Sequence, residues 1–255
     1  FPFLGIVIIF GAEYLGWMNG MRQMLVATIF IWSIQFIQKK QLLKYLIIII
    51  LCSTIHKSAV FLFIFYFIPV KDYFKNRTFT YCLVIFSITF NLNEIFFNQI
   101  INTKIIELLD ITGYEWISSN FVLLSEETHV KVFGPRRMVI ALMIMLTIWY
   151  STELKKTFKN SFFITYYNLT ILGFVIYNIV SEMNHIFIRP VSYLTIFSVV
   201  TTAYLLVYLK KVKRLMFFIV LFLALLYLPI SIIADYSKGI DDHSNYKFYW
   251  YNHTE

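Results

Sequence analysis

Eight side chains able to bind or move charge punctuate an otherwise apolar chain: Arg22, His56, Lys57, Arg136, Arg137, Glu182, His185 and Arg189. In "CSTIHKSAVF", residues 52–61, an imidazole and an ammonium interrupt a single apolar run. In "SEMNHIFIRP", residues 181–190, Glu182, His185 and Arg189 are spaced i, i+3, i+7, which puts all three on one face of a helix. A guanidinium fork grips two oxygens of a phosphate, and an ammonium adds a point charge. Several such cations at the ends of membrane helices suit a diphosphate, and they would also stabilise one leaving with extra negative charge. His185, Glu182, His56 and Glu13 are the groups able to take a proton from an attacking hydroxyl, and the sequence does not rank them.

Each residue also has a structural reading. Arg22 and Lys57 can snorkel to headgroups, and His56 can bond a backbone carbonyl. Arg136 and Arg137 follow Gly134-Pro135 at a helix start, where proline fits but the dipole disfavours cations. Glu182 and Arg189 can form an ion pair, with Pro190 kinking the helix between its ends.

The elements that must position these groups are membrane helices. Of 255 residues 59% are hydrophobic and only 14% charged, with mean hydropathy +0.71, against roughly 25% charged in soluble domains. Runs such as 46–51 and 215–228 are apolar on every face, so water is not their solvent. The sequence predicts an all-α, polytopic bundle of about nine segments, at 1–16, 22–37, 45–55, 59–69, 78–97, 138–150, 161–180, 188–209 and 215–233. A span needs about 20 residues, so the third and fourth segments read as a short broken pair with His56 between them. The chain begins with Phe1 inside an apolar run, which predicts an N-terminally truncated protein. Cys52 and Cys82 fit no disulfide or metal pattern, and nucleotide-loop, metal and serine-hydrolase motifs are missing.

Four connections are basic: Lys39/Lys40/Lys44, Lys71/Lys75/Arg77, Lys155/Lys156/Lys159 and Lys210/Lys211/Lys213/Arg214. They alternate with the segments and hold 13 of the 22 lysines and arginines, against Asp72 and Glu153 alone as acids. The positive-inside rule makes that side cytoplasmic. The net charge of +8 then divides into about +11 inside and −3 outside, so it reports topology and not nucleic-acid binding. Residues 1–255 read as one transmembrane domain with a long outer connection at about 98–135 and an outer tail at about 234–255.

At "NGMRQMLVATIFIWSIQFIQKKQLLKYLIIIILCSTIHKSAVFLFIFYFI" the chain resembles the EpsG-like family of Wzy-type bacterial polysaccharide polymerases. The resemblance rests on Arg22-Gln23, Lys39-Lys40 and His56-Lys57-Ser58-Ala59, then on Arg189 before a tyrosine-rich helix and the aromatic tail 246–251. Members carry further helices upstream, with an outer acidic and tyrosine motif that this chain lacks. The resemblance implies a multi-pass glycosyltransferase of the bacterial cytoplasmic membrane. It would join repeat units carried on undecaprenyl diphosphate into O-antigen, capsule or exopolysaccharide on the outer face. Donor and acceptor would both be lipid-linked glycans, with a chain-length regulator as a further candidate partner and no cofactor, metal or nucleic acid. Arg22, Arg136, Arg137, Arg189 and Lys57 would hold the diphosphate, and His185, Glu182 or His56 would act as acid or base. The competing readings are a flippase or transporter of lipid-linked glycans, and a ligase or acyltransferase of cell-surface glycans.

Overall fold

The computed structural model describes residues 21–68, 71–89, 134–159, 162–180 and 185–237, with backbone alone at 185–189 and at a few positions beyond 227. Among them there is no strand. The elements are α1 (Met21–Gln38), α2 (Leu42–Ile55), a 3₁₀ helix η1 (Lys57–Phe67), α3 (Arg77–Thr89), α4 (Pro135–Trp149), α5 (Ser151–Thr157), α6 (Phe163–Val180), α7 (His185–Thr195), α8 (Phe197–Val212) and α9 (Arg214–Ser237).

Two helices are long and apolar enough to cross a membrane, Phe163–Val180 and Pro190–Val212. A third counts if α4 and α5, bent by 61°, form one broken span. The all-helical class therefore stands. The expected nine segments reduce, among the described residues, to two or three full spans plus the shorter apolar helices α2, η1, α3 and the 214–227 part of α9. Two of these, at 14 and 11 residues, are too short to cross the hydrocarbon as ordinary α-helices, whereas the expected segment at 78–97 runs beyond Thr89 into residues outside the described ones. The first expected segment, most of the 98–135 connection and residues 238–255 of the expected tail lie outside the described residues.

α6 is the wall shared by two cores, because both its faces are apolar. Phe163, Tyr167, Ile171 and Phe174, at steps of four and three, pack towards α3, α4, α8 and α9. Tyr166 and Leu169 on the other face pack towards α1, α2, η1 and α7. Gly173 sits where α7 crosses α6. A Cβ there would lie 2.7 Å from Leu194 Cβ and 2.8 Å from the Leu194 carbonyl carbon, so only glycine permits this approach. Several buried hydroxyls are satisfied within their own helices, as when Thr147 and Thr170 donate to the carbonyls of Met143 and Tyr166 at 2.9 Å. Between helices, buried Asn178 donates to Ser87 at 3.2 Å.

α2 and η1 form a hairpin whose turn is His56. α1 hands over to α2 through Lys40, at φ 55°, with Gln41 N–H donating to the Phe36 carbonyl at 2.8 Å in a Schellman closure. α2 stops at His56, which is extended at φ −145°, ψ 114°. η1 starts when Ala59 N–H donates to the His56 carbonyl at 2.9 Å. Eleven residues would rise only about 17 Å as an α-helix. As a 3₁₀ helix they rise about 22 Å, which matches the roughly 21 Å of α2. The three-residue period also sorts the side chains, with Ala59 and Leu62 buried and Phe61, Ile64 and Phe67 exposed. Buried Tyr45 donates to the Leu62 carbonyl at 2.6 Å and ties the arms together.

Side-chain contacts gather the four basic connections at one end of the bundle. Gln38 donates to Thr165 at 2.6 Å, joining the end of α1 to the start of α6. Lys155 bridges Asp72 at 2.7 Å, donates to the Phe74 carbonyl at 3.1 Å and lies 4.3 Å over the Tyr167 ring. Arg77 bridges Glu153 at 2.7 Å, and Lys213 lies 5.3 Å over Tyr150.

Candidate functional site

At the opposite end, three segments far apart in sequence meet. They are the start of α1, the α2–η1 turn and α7. Gln23 of α1 donates to Ser192 Oγ of α7. Ser58 Oγ lies 2.9 Å from His56 Nδ1 and 2.9 Å from Tyr193 Oη, and Tyr193 Oη is 3.4 Å from the same ring nitrogen. The Tyr193 ring stands edge-on to the imidazole at 6.4 Å. Tyr193 is fully buried, whereas His56 and Ser58 are half-buried.

The hairpin sets the depth of this group. Arms of roughly 21–22 Å, rooted at the basic end, stop short of a hydrocarbon layer about 30 Å thick. The break in "CSTIHKSAVF" therefore puts an imidazole and a serine inside the bundle end, where α7 supplies the hydroxyl that meets them.

Hydrogen-bond accounting favours one assignment of roles in the group. It contains two hydroxyl hydrogens and three possible acceptors. Both hydrogens find acceptors within the group only if His56 Nδ1 accepts: Tyr193 donates to Ser58, and Ser58 donates to Nδ1. In that assignment the proton of a neutral His56 sits on Nε2. To act as a base at Nε2 such a histidine would have to change tautomer.

The other expected residues are placed as follows. Arg22 is exposed beside Gln23, and Lys57 is exposed beside His56. His185 and Arg189 lie on α7, the helix that brings Ser192 and Tyr193 to the group. Pro190 lies within α7 and leaves the Ile186 carbonyl without its intrahelical donor. Arg136 and Arg137 open α4 in the other half of the bundle, with Pro135 at the helix start and Gly134 as N-cap. Arg137 lies 5.7 Å over the Tyr177 ring near the end of α6, and its buried Nη2 has no hydrogen-bond partner among the described residues. Glu13 and Glu182 lie outside the described residues.

Gln23, His56, Ser58, Ser192 and Tyr193 are thus brought together, while Arg137 stands with Tyr177. Sequence reasoning had singled out His56 chemically, and Gln23 and Ser58 only as parts of a pattern. Ser192 and Tyr193 were missed, although they lie three and four residues beyond Arg189 on the face argued for it. Among the described residues, no group of three or more His, Cys, Asp or Glu is placed to hold a metal.

A family model described as "EpsG family" matches residues 1–253. No curated protein and no solved structure matches the chain.

Proposed function

Because this chain belongs to the EpsG family, the family of Wzy-like polysaccharide polymerases, we propose that it joins oligosaccharide repeat units carried on undecaprenyl diphosphate. The work takes place at the bundle end where His56, Ser58 and Tyr193 meet, on the outer face of the bacterial cytoplasmic membrane. The observation that carries this reading is the convergence of α1, the α2–η1 turn and α7 on a polar group inside an otherwise apolar bundle. Polar groups at such depth are costly unless they serve a ligand or one another.

In the proposed step, a hydroxyl of the acceptor glycan attacks the anomeric carbon of the donor. The new C–O bond forms as the bond to the diphosphate oxygen breaks, and the diphosphate leaves with the electron pair. Arg189, Arg22 and Lys57 neutralise it, and His56 Nε2–H donates to one of its oxygens. Arg137, with a guanidinium nitrogen still lacking an acceptor, supplies a further cation from α4. The hydroxyl proton goes to His185 or Glu182, which removes His56 from the base role and assigns it a donor role.

The test is an assay in membrane vesicles with purified lipid-linked repeat units. Ladders of long chains on the lipid carrier are the expected result. Transfer of a single unit would show a ligase, and relocation of the lipid without a new bond would show a transporter; either would overturn the reading.

A further inference from the structure

A sizeable cavity lies away from the site just described. It lies at the basic end, between α1, η1, α3 and α6, with a volume of about 450 Å³. Its position follows from its lining: Ile34 and Ile37 in the last turns of α1, Phe65 near the end of η1, Leu83 in α3, and Leu169 and Leu172 in the first half of α6. The polar members of the wall, Tyr73, Thr165 and Asn168, cluster towards the basic connections, so the cavity runs from a polar rim to an apolar interior.

The rim is already tied together by internal bonds. Thr165 accepts from Gln38, and Asn168 donates to the Lys71 carbonyl. The two acids of these connections are also engaged, Asp72 with Lys155 and Glu153 with Arg77. Exposed Lys71 and Lys75 flank that rim with no further carboxylate of these connections left for them among the described residues, and exposed Lys39 and Lys40 follow Ile37 on the α1 side.

We propose that this cavity is a binding site for one anionic phospholipid of the leaflet at the basic end, with an acyl chain inside and the phosphate held among Lys71, Lys75, Lys39 and Lys40. An apolar cavity open at the side of a membrane bundle takes hydrocarbon, and a basic rim selects a negative headgroup. The inference is independent of the polymerase reading, since it concerns the opposite end of the bundle and a ligand that undergoes no chemistry.

The test uses the full chain in detergent, with phosphatidylglycerol or phosphatidylcholine added. Native mass spectrometry should retain one phosphatidylglycerol and not phosphatidylcholine, and only phosphatidylglycerol should raise Tm, by several degrees. Leu172→Trp and, separately, Leu83→Phe should abolish the shift by filling the interior. Lys71→Gln with Lys75→Gln should abolish the preference between the two lipids. Equal retention of both lipids, a shift that survives both filled cavities, or displacement of phosphatidylglycerol by undecaprenyl phosphate would each overturn the proposal. The retention measurement on the unaltered chain decides the matter even if a filled variant fails to fold, and none of these readouts involves glycan polymerisation.

Discussion

The two ends of the bundle are held together by different kinds of bond. At the basic end, charge meets charge: Lys155 with Asp72, and Arg77 with Glu153, each at 2.7 Å. At the other end, among the described residues, neutral groups meet: Gln23 with Ser192, and Ser58 with His56 and Tyr193. Arg137 there rests on an aromatic ring and has a buried nitrogen with no acceptor among the described residues. Ion pairs that satisfy themselves are structural devices. The end proposed to receive an anion that arrives and departs is the one held by neutral groups, with Arg137 on α4 nearby. The comparison therefore predicts that substitutions at one end change activity, while those at the other change stability.

The largest effect is expected at Arg189. Arg189→Lys keeps the charge and loses the fork. If Arg189 holds diphosphate, losing one charge-assisted hydrogen bond costs about 1.5–3 kcal/mol, roughly a ten- to hundredfold loss of polymerisation if it acts in the transition state. Membrane abundance should stay near normal. Shortened or absent ladders at normal abundance place Arg189 in the site. Normal ladders in Arg189→Lys, with Arg189→Ala lost through degradation, would instead make it a structural partner of Glu182.

Next in size is Gly173→Ala, which links the two ends through packing. The added methyl meets Leu194 Cβ and backbone at 2.7–2.9 Å, so α7 must move away from α6. Overpacking of this kind costs about 1–3 kcal/mol, seen as a lower Tm. Because Tyr193 is the neighbour of Leu194, activity per folded molecule should fall as well. A lower Tm with full activity would show that α7 can move without disturbing the polar group.

How much of this contrast was legible in the sequence depends on the element. α6 was placed at 161–180 and runs Phe163–Val180, because it is a full span with turn signals on both sides. The broken pair around His56 was legible from length alone. Its 3₁₀ form was not, since Lys57–Phe67 is apolar at nearly every position and shows no period. What separates its faces is tertiary, the partner helices together with the bond from Tyr45 to the Leu62 carbonyl. The basic connections are legible as topology, but no pattern shows that Asp72 and Glu153 each take one cation out of play. Tyr193 was hidden among 18 tyrosines, because only the fold brings it opposite the serine two residues after His56. Gly173 lies inside an apolar helix, where nothing in the sequence announces a close approach.

Asp72→Asn should sharpen the comparison from the basic end. It removes the carboxylate facing the half-buried Lys155 ammonium and should cost about 1–2 kcal/mol, part of the 1.5–3 typical of charged hydrogen bonds. The Arg77–Glu153 bridge is more exposed, at 34% and 44%, so Glu153→Gln should cost under about 1 kcal/mol. Both variants should give normal chain-length ladders per folded molecule. Altered ladders at unchanged Tm would mean that the basic end contributes directly to the chemistry.

The smallest single effect is expected at Tyr193→Phe, and it bears most directly on the role of His56. The buried ring keeps its packing, and the loss is one neutral hydrogen bond, worth about 0.5–1.5 kcal/mol. Ser58 still donates to Nδ1 at 2.9 Å, so Nε2 keeps its proton and activity should fall only a few-fold. In Ser58→Ala, Tyr193 stands 3.4 Å from the same nitrogen and can close on it, so the tautomer should again be held. Only the double variant removes both hydroxyls and leaves Nδ1 without a donor from this group. Nitrogen-15 spectra of histidine-labelled protein should therefore show an Nε2–H imidazole at His56 in the parent chain and in both single variants. The double variant should show a mixture of tautomers and a loss of activity larger than the product of the two single losses. An Nδ1–H imidazole in the parent chain would reverse the hydrogen-bond order of the group. It would return His56 to the role of base, and the donor to the departing diphosphate would then have to come from the arginines alone.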